Sequence, residues 1–227
     1  AIRNPTLSDQ YLFYNVGRAI LVGNLNGFDS LVTVESFQNY LNVDTIGLES
    51  LDYFDVDPIQ PEQVRTIELG YRGQLARVLY IDASYYYSWY RNFIGFNIGV
   101  DTDFDQFGFP REAQAYRVAA NSKDIVTTQG FSIAANYYIG DYFNLTGNYS
   151  WNRLDLRGSD DEIIPAFNTP EHKFNIGFSG RDITWNFKNR SLRKFGFAVN
   201  YKWIQGFLFE GSPQFTGRIP TYDMLDL

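Results

Sequence analysis

Apolar and polar residues alternate with a period of two in six stretches of the chain, which indicates β-strands that each have one apolar face. The stretches pair into three predicted hairpins, whose strands lie at 67–72 and 79–89, at 131–138 and 143–151, and at 174–179 and 197–203. A last predicted strand begins around Tyr222. No segment shows a convincing helical period. The pattern therefore predicts an all-β, antiparallel fold.

The connections between these strands fall into two length classes. Two connections are predicted to be tight, one at 73–77 with its turn near Gly73 and one at 140–142, and a third, at 180–193, is of moderate length. The alternate connections are long, at 16–61, 92–126 and 153–171. Structureless loops of that length are unusual in compact domains, whereas outer-membrane barrels combine long extracellular loops with short periplasmic turns. Several predicted strands also approach about ten residues, the length that a tilted strand needs to cross a bilayer.

Three of the strands end in the same Tyr-x-Trp sequence on the apolar face. The chain has 17 Tyr among 227 residues, so a Tyr at a given offset from a Trp would occur by chance about 7% of the time. Aromatic residues with one polar end accumulate where a barrel meets the membrane interface. We therefore predict an aromatic girdle on the side of the long loops, formed by Tyr87, Trp89, Tyr149, Trp151, Tyr201 and Trp203.

The alternation also assigns a face to each side chain, because a shift of one residue would exchange the two faces of a strand. The apolar face is predicted to contact lipid through Leu79, Ile81, Tyr85, Phe131, Ile133, Phe143, Leu145, Phe174, Ile176, Phe197 and Val199. The polar face is predicted to line the barrel lumen with Glu68, Asp82, Ser84, Asn136, Asn144, Thr146, Asn148, Asn175, Asn200 and Lys202.

Composition agrees with a membrane barrel and excludes several other classes of protein. Aromatic residues make up 18% of the chain, and the formal net charge of −7 argues against nucleic acid as a partner. The mean hydropathy is −0.29, and no apolar run approaches the ~18 residues of a membrane helix. With no Cys and one His, His172, thiolate and multi-histidine metal sites are excluded within the chain.

Candidate sites for chemistry are few. The sequence contains no nucleophile elbow, phosphate loop or zinc-protease motif, so we predict no enzyme, no catalytic residue and no cofactor-binding residue. Asp101, Asp103 and Asp105 form a weak candidate Ca²⁺ site in an extracellular loop; Gln106 stands where such loops need Gly, and a solvated acidic loop is the alternative. His172 is predicted to point outward at the rim in a structural role.

The six predicted strands are too few to enclose a lumen, since the smallest membrane barrels already need about eight. Unpaired strand edges in lipid leave backbone groups unsatisfied, at a cost of several kcal/mol each. We therefore expect residues 1–227 to be one partial barrel domain of six to eight strands, truncated at both ends.

Three short motifs resemble those of TonB-dependent outer-membrane receptors. Residues 2–7 (IRNPTL) resemble the R-x-P-t stretch that precedes a large extracellular loop. Residues 61–72 (PEQVRTIELGYR) resemble the PE-x-x-x-x-E-x-G-y strand, and residues 168–175 (NTPEHKFN) resemble the t-P-x-h-k-x-n entry to a late strand. Their order and spacing are similar to the C-terminal third of a receptor, of the type found in Bacteroidota with an upstream carboxypeptidase-regulatory-like domain.

The resemblance implies a bacterial outer-membrane location and a barrel of about 22 strands. It also implies an N-terminal plug inside the barrel, not included in these residues, and contact with TonB through the missing N-terminus. Outer-membrane lipid is the expected surroundings of the wall, and a surface lipoprotein is a further candidate partner.

Three functions remain open from the sequence. The first is active import of a scarce nutrient, energised through TonB. The second is a passive porin or other large pore, and the third is a soluble all-β binding module. The sequence does not reveal the transported substrate.

Overall fold

The computed structural model describes residues 1–42, 50–155, 164–165, 167–187, 190–212 and 215–227. In chain order its elements are β1 (Ile2–Arg3), α1 (Leu7–Tyr11), β2 (Phe13–Asn15), β3 (Ile20–Val22), β4 (Phe28–Thr33), α2 (Val34–Asn42), β5 (Tyr53–Val56), β6 (Glu62–Leu75), β7 (Leu79–Arg91), β8 (Ile94–Phe104), β9 (Pro110–Asn121), β10 (Val126–Ile139), β11 (Phe143–Asp155), β12 (Ile164–Pro165), β13 (His172–Phe187), β14 (Arg190–Ile204), β15 (Phe207–Ser212), β16 (Phe215–Ile219) and β17 (Tyr222–Asp226).

The largest unit is an eight-stranded antiparallel sheet, called the wall below, in the order β1-β6-β7-β10-β11-β13-β14-β17. Its six central strands are 13 to 16 residues long, more than the 9–11 or so that a tilted strand needs to cross a bilayer. The wall does not close into a barrel. The predicted all-β, antiparallel class is confirmed. Within the described residues, no helix is long and apolar enough to span a membrane.

Two of the predicted turns are wrong in position or length. Gly73 lies inside β6 opposite Ile81, and the chain reverses at Ala76 and Arg77, both at positive φ, where the Val78 N–H donates to the Leu75 carbonyl over 3.2 Å. Two consecutive residues at positive φ match the right-handed twist of a hairpin. In the third hairpin, pairing continues with shifts of register to the pair Phe187 and Arg190, so its connection is shorter than predicted.

The prediction of structureless long loops is also wrong for the first two of them. They fold into a second sheet, called the loop sheet below, in the order β2-β3-β9-β8-β4-β5, with β12 paired to β8. The β3–β9 pair is parallel and joins Ile20 to Tyr116, far apart in the chain. The loop sheet is therefore assembled mainly from the first two long connections, and the third contributes β12.

A compact apolar core holds the loop sheet together. Leu31, Val56 and Val118 are buried in one cluster, and Val32 and Val100 lie in a second. Gly99 permits this packing, because a Cβ there would lie 2.8 Å from the Leu31 Cβ and 2.9 Å from the Phe54 ring.

Helix α2 covers part of this core and corrects the expectation that no segment is helical. Its Phe37 is buried in the second cluster, with Val34 and Tyr40 packed beside it. The Thr33 hydroxyl accepts the Ser36 N–H over 3.2 Å, which satisfies a free amide at the start of the helix.

Asn24 connects the strands of the loop sheet through its fully buried side chain. Its amide nitrogen donates to the carbonyls of Asp57 and Ala119 over 2.7 and 2.9 Å, and its amide oxygen accepts the Gly27 N–H over 2.8 Å. A buried amide with all of these partners is stabilising, whereas the same groups left unpaired would destabilise the fold.

Candidate functional site

Polar side chains of the wall share one face across its six long strands. The cross-strand register aligns Asp82, Ala134, Asn148, Asn175 and Lys202 in one row. A second row holds the predicted lumen residues Asn136, Thr146 and Asn200. Ser84 lies opposite Ser132, Asn144 opposite Ser179 and Glu68 opposite Tyr86. The ten predicted lumen residues thus all lie on the same face of one sheet.

Hydrogen bonds run between neighbouring strands on this polar face. Arg72 forms an ion pair with Asp82 at 2.6 Å, and the Asn175 amide donates to the Asn148 amide oxygen over 3.1 Å. The hydroxyls of Ser84 and Ser132 are 2.9 Å apart. These contacts cross the sheet laterally, so the polar face is a continuous surface of donors and acceptors.

The amide oxygen of Asn144 is an exception on that face. It is buried and has no hydrogen-bond partner among the described residues. Its neighbours across the sheet are Tyr138 on β10 and Ser179 on β13. The site lies next to the tight turn at Gly140, at the end of the wall opposite the loop sheet.

The opposite face of the wall is apolar and uncovered by any other part of the described chain. Leu69 is 75% exposed, Ile133 44% and Ile176 51%. Aromatic rings pack across strands on this face, including Phe131 against Trp151 and Phe143 against Phe178. Contiguous apolar surface of this extent is rare on soluble monomers and marks contact with lipid or another protein.

The Tyr-x-Trp residues lie on this apolar face but not on one hydrogen-bonded row. On β10, the partners of Trp89 and Trp151 are Thr127 and Phe131, four residues apart. Trp89 is therefore nearer to the loop end of the wall, measured along the strands.

The next pair is displaced in the same direction. On β13, the partners of Trp151 and Trp203 are His172 and Phe174, two residues apart. Four strand-to-strand steps separate β7 from β14, so the displacement averages about 1.5 residues per step. With a rise of ~3.3 Å per residue and ~4.8 Å between neighbouring strands, this displacement corresponds to a strand tilt of about 45°. Strands of membrane barrels tilt by about 35–45°. A wall with that tilt would bring the three Trp residues to one height.

The residues around His172 form a polar cluster at the loop end of the apolar face. The His172 Nδ1 lies 2.6 Å from the Tyr149 hydroxyl, and the Trp151 indole N–H donates to the Glu171 carboxylate over 3.2 Å. His172 was predicted to lie at the rim. Its contact with Tyr149 could not be predicted, because Tyr149 lies on the neighbouring strand.

The structure also joins two of the sequence motifs. Arg3 from the first motif forms a 3.3 Å ion pair with Glu62 from the second. The same Glu62 carboxylate accepts the Ile94 N–H over 3.1 Å. This buried carboxylate therefore connects β1, β6 and the loop sheet. Its role was missed because sequence spacing alone does not show which distant strands meet.

The predicted Ca²⁺ residues lie at one end of the loop sheet. Asp101 and Asp103 lie on β8, opposite Gln114 and Glu112. The Asp105 carboxylate accepts the N–H groups of Phe107 and Phe109. In the part of the chain that the structure describes, no group of three acidic or His residues could hold a metal ion, and the Ca²⁺ site stays a prediction.

Comparison with known proteins identifies the family of this wall. The whole chain, residues 1–227, matches the family described as TonB dependent receptor-like, beta-barrel. No curated protein matches the sequence. Among solved structures, the copper transporter OprC is similar with a TM-score of 0.51 and 14% identity, over 74% of this chain and 23% of that one. The siderophore receptor PirA from Acinetobacter baumannii has 13% identity and a TM-score of 0.42, over 77% of this chain and 26% of that one.

The chain thus spans about a quarter of the length of these solved relatives. The family match covers every residue and agrees with the long antiparallel strands and the two-faced wall. The chain belongs to the TonB-dependent receptor family, as part of its β-barrel domain, and so to a protein of the bacterial outer membrane.

Proposed function

We propose that this chain is part of the wall of an active transporter that imports a scarce nutrient, with energy delivered through TonB. The observation that carries the proposal is the division of the wall into a continuous polar face and an uncovered apolar face. Such a division is what a barrel wall needs between an aqueous lumen and lipid. The family match supports the same function.

The proposed orientation follows from the two faces and the two ends of the wall. The apolar face contacts lipid, and the polar face lines the lumen and meets a plug that another part of the protein supplies. The end that carries the loop sheet is extracellular, because long connections of outer-membrane barrels lie outside and tight turns lie in the periplasm. The strands needed to close the barrel belong to the rest of the protein.

The loop sheet suits a role in capturing the nutrient at the cell surface. It has its own apolar core and stands at the extracellular end of the proposed lumen. A rigid, folded loop can hold a ligand in a defined geometry, whereas a flexible loop would lose entropy on binding. A surface lipoprotein at this end remains a further proposed partner.

The test is uptake by the full-length receptor in cells with and without the TonB system. A plugged lumen offers no open path for diffusion, so uptake should fall to background when TonB is absent. Equal uptake in both strains, or an open pore when the intact protein is placed in a planar bilayer, would instead establish a passive porin. A protein that is extracted from cells without detergent would indicate the soluble binding module.

A further inference from the structure

A cleft of about 420 Å³ opens on the apolar face of the wall, at its loop end. We call it the rim cleft; its lining residues are Gln63, Arg65, Ile67, Trp89, Arg91 and Ile125. It lies on the face opposite the proposed lumen, so the import function does not account for its two arginines.

The register explains how the arginines come together on an otherwise apolar face. Arg65 on β6 lies directly opposite Trp89 on β7, and Gln63 lies opposite Arg91. Arg91 is the next residue on the same face after Trp89, about 6–7 Å further along the strand. Both guanidinium groups therefore stand at the level of the proposed girdle or just beyond it, on the loop side.

Among the described residues, no acid lines the cleft. Neither Arg65 nor Arg91 forms an ion pair there. Asp155 on β11 is an acid on the same face; it lies opposite Thr127 of β10, two strands away from β7. Guanidinium groups bind phosphate oxygens in a bidentate manner, so two of them side by side suit a phosphate-bearing partner.

Below the arginines the cleft is apolar. On the turn side of Arg65 the next residue on this face is Ile67, which is 65% exposed and lies opposite Tyr87. Trp89 lies level with Arg65, and Ile125, 54% exposed, comes just before the Val126–Tyr90 pair at the loop end. An apolar lower part beneath a basic upper part fits an amphiphile whose acyl chain enters the membrane and whose phosphate stays at the interface. An acidic peptide would match the arginines but would leave the apolar residues uncovered.

We propose that the rim cleft binds a phosphate-bearing glycolipid of the outer leaflet, with its phosphate on Arg65 and Arg91 and an acyl chain against Ile67 and Trp89. This inference rests on the proposed orientation, in which the apolar face meets lipid and the loop end is extracellular. It adds a specific lipid partner to a wall that would otherwise contact the membrane only non-specifically.

The experiment titrates the purified full-length receptor with diphosphorylated lipid A, and separately with the same lipid after its phosphates are removed. The wild-type receptor should bind the phosphorylated form at least about tenfold more tightly, since one charge-assisted contact contributes about that factor. The double variant Arg65→Gln/Arg91→Gln should lose this preference. The control Arg77→Gln/Arg181→Gln removes the same charge at the tight-turn end and should keep it.

Three outcomes would overturn the proposal. Equal affinity for both forms of the lipid would show that the phosphate is not recognised. An equal loss in the control variant would show a general effect of net charge. Displacement of the lipid by inorganic phosphate alone, at equal concentration, would show a simple anion site. The titration needs no TonB, so it stays readable even if the import function fails in the uptake test.

Discussion

The wall and the loop sheet use apolar residues in opposite ways within one chain. In the loop sheet Leu31 is 3% exposed and Val118 is completely buried, and both pack in a closed core. In the wall Leu69 is 75% exposed and Ile67 is 65% exposed, although both lie in a regular strand. The loop sheet hides its apolar surface from water, whereas the wall presents it to the surroundings.

The difference follows from the solvent that each region meets. A sheet in water must cover one face with other protein, because apolar burial is the main favourable contribution to folding there. A sheet in a bilayer keeps its apolar face outward and gains stability from backbone pairing, since no water is present to satisfy its amides. The wall and the loop sheet are adjacent in the chain, since β8 begins three residues after β7 ends.

Truncation of a large apolar residue should separate the two regions most clearly. Leu31→Ala should destabilise the loop sheet by about 2–5 kcal/mol, because it opens a cavity in a close-packed core. Leu145→Ala on the apolar face of the wall is the matched control and should cost much less, since lipid chains can fill the space. Chemical denaturation of the full-length receptor in lipid vesicles, followed by hydrogen exchange of each region, measures both. Equal losses would show that the wall face is buried against protein.

The strands of the wall could be predicted from the sequence because their pattern is local. Ile133 and Leu145 follow alternating positions that fix the faces without knowledge of any partner strand. The six long strands, their antiparallel order and their shared faces agree with that pattern. The turn of the first hairpin was placed wrongly, because Ala76 and Arg77 adopt positive φ without a Gly, whereas Gly73 lies inside β6.

The loop sheet was missed although local signals were present. Ile94, Phe96, Ile98 and Val100 alternate as in a strand, and they form β8. Val34, Phe37, Tyr40 and Leu41 recur at helical spacing, and they lie on α2. These segments lie between residues typical of loops. Strand β8 forms a local hairpin with β9, but the β3–β9 and β4–β8 pairs join segments that are distant in sequence, so tertiary packing decides how the sheet is assembled.

In the candidate site, too, local features could be predicted from the sequence and contacts between strands could not. Alternation could predict which residues share the polar face, since that depends only on register within a strand. It could not predict that Arg65 and Arg91 meet around one cleft, or that Arg3 reaches Glu62. Those contacts depend on which strands neighbour each other and on how far they are shifted.

A charge placed on each face of one strand tests whether the two faces of the wall meet different surroundings. Ile133→Arg should destabilise the receptor by about 2–4 kcal/mol if its position is near the bilayer midplane, because the guanidinium would meet hydrocarbon. Asn136→Arg on the opposite face of the same strand is the control, and it should have little effect in a polar lumen. Both variants are compared by urea unfolding in vesicles. A larger loss for Asn136→Arg would reverse the assignment of the two faces.

The smallest expected effect concerns the aromatic girdle. The Trp203 ring stacks on Phe174 across the β13–β14 pair, with centroids 5.5 Å apart and an interplanar angle of 23°. Trp203→Leu should therefore cost about 0.5–1.5 kcal/mol of stability in vesicles, the usual value of such a pair beyond its buried area.

The position of the girdle is tested by lipids brominated at known depths in the same vesicles. Trp89, Trp151 and Trp203, each studied with the chain's other Trp residues replaced by Phe, should be quenched most strongly at one common depth. That result requires the wall to tilt, because the three residues are staggered along the hydrogen-bonded rows. If the three Trp residues instead lie at three depths that follow their stagger along the hydrogen-bonded rows, the strands stand upright and the residues form no girdle.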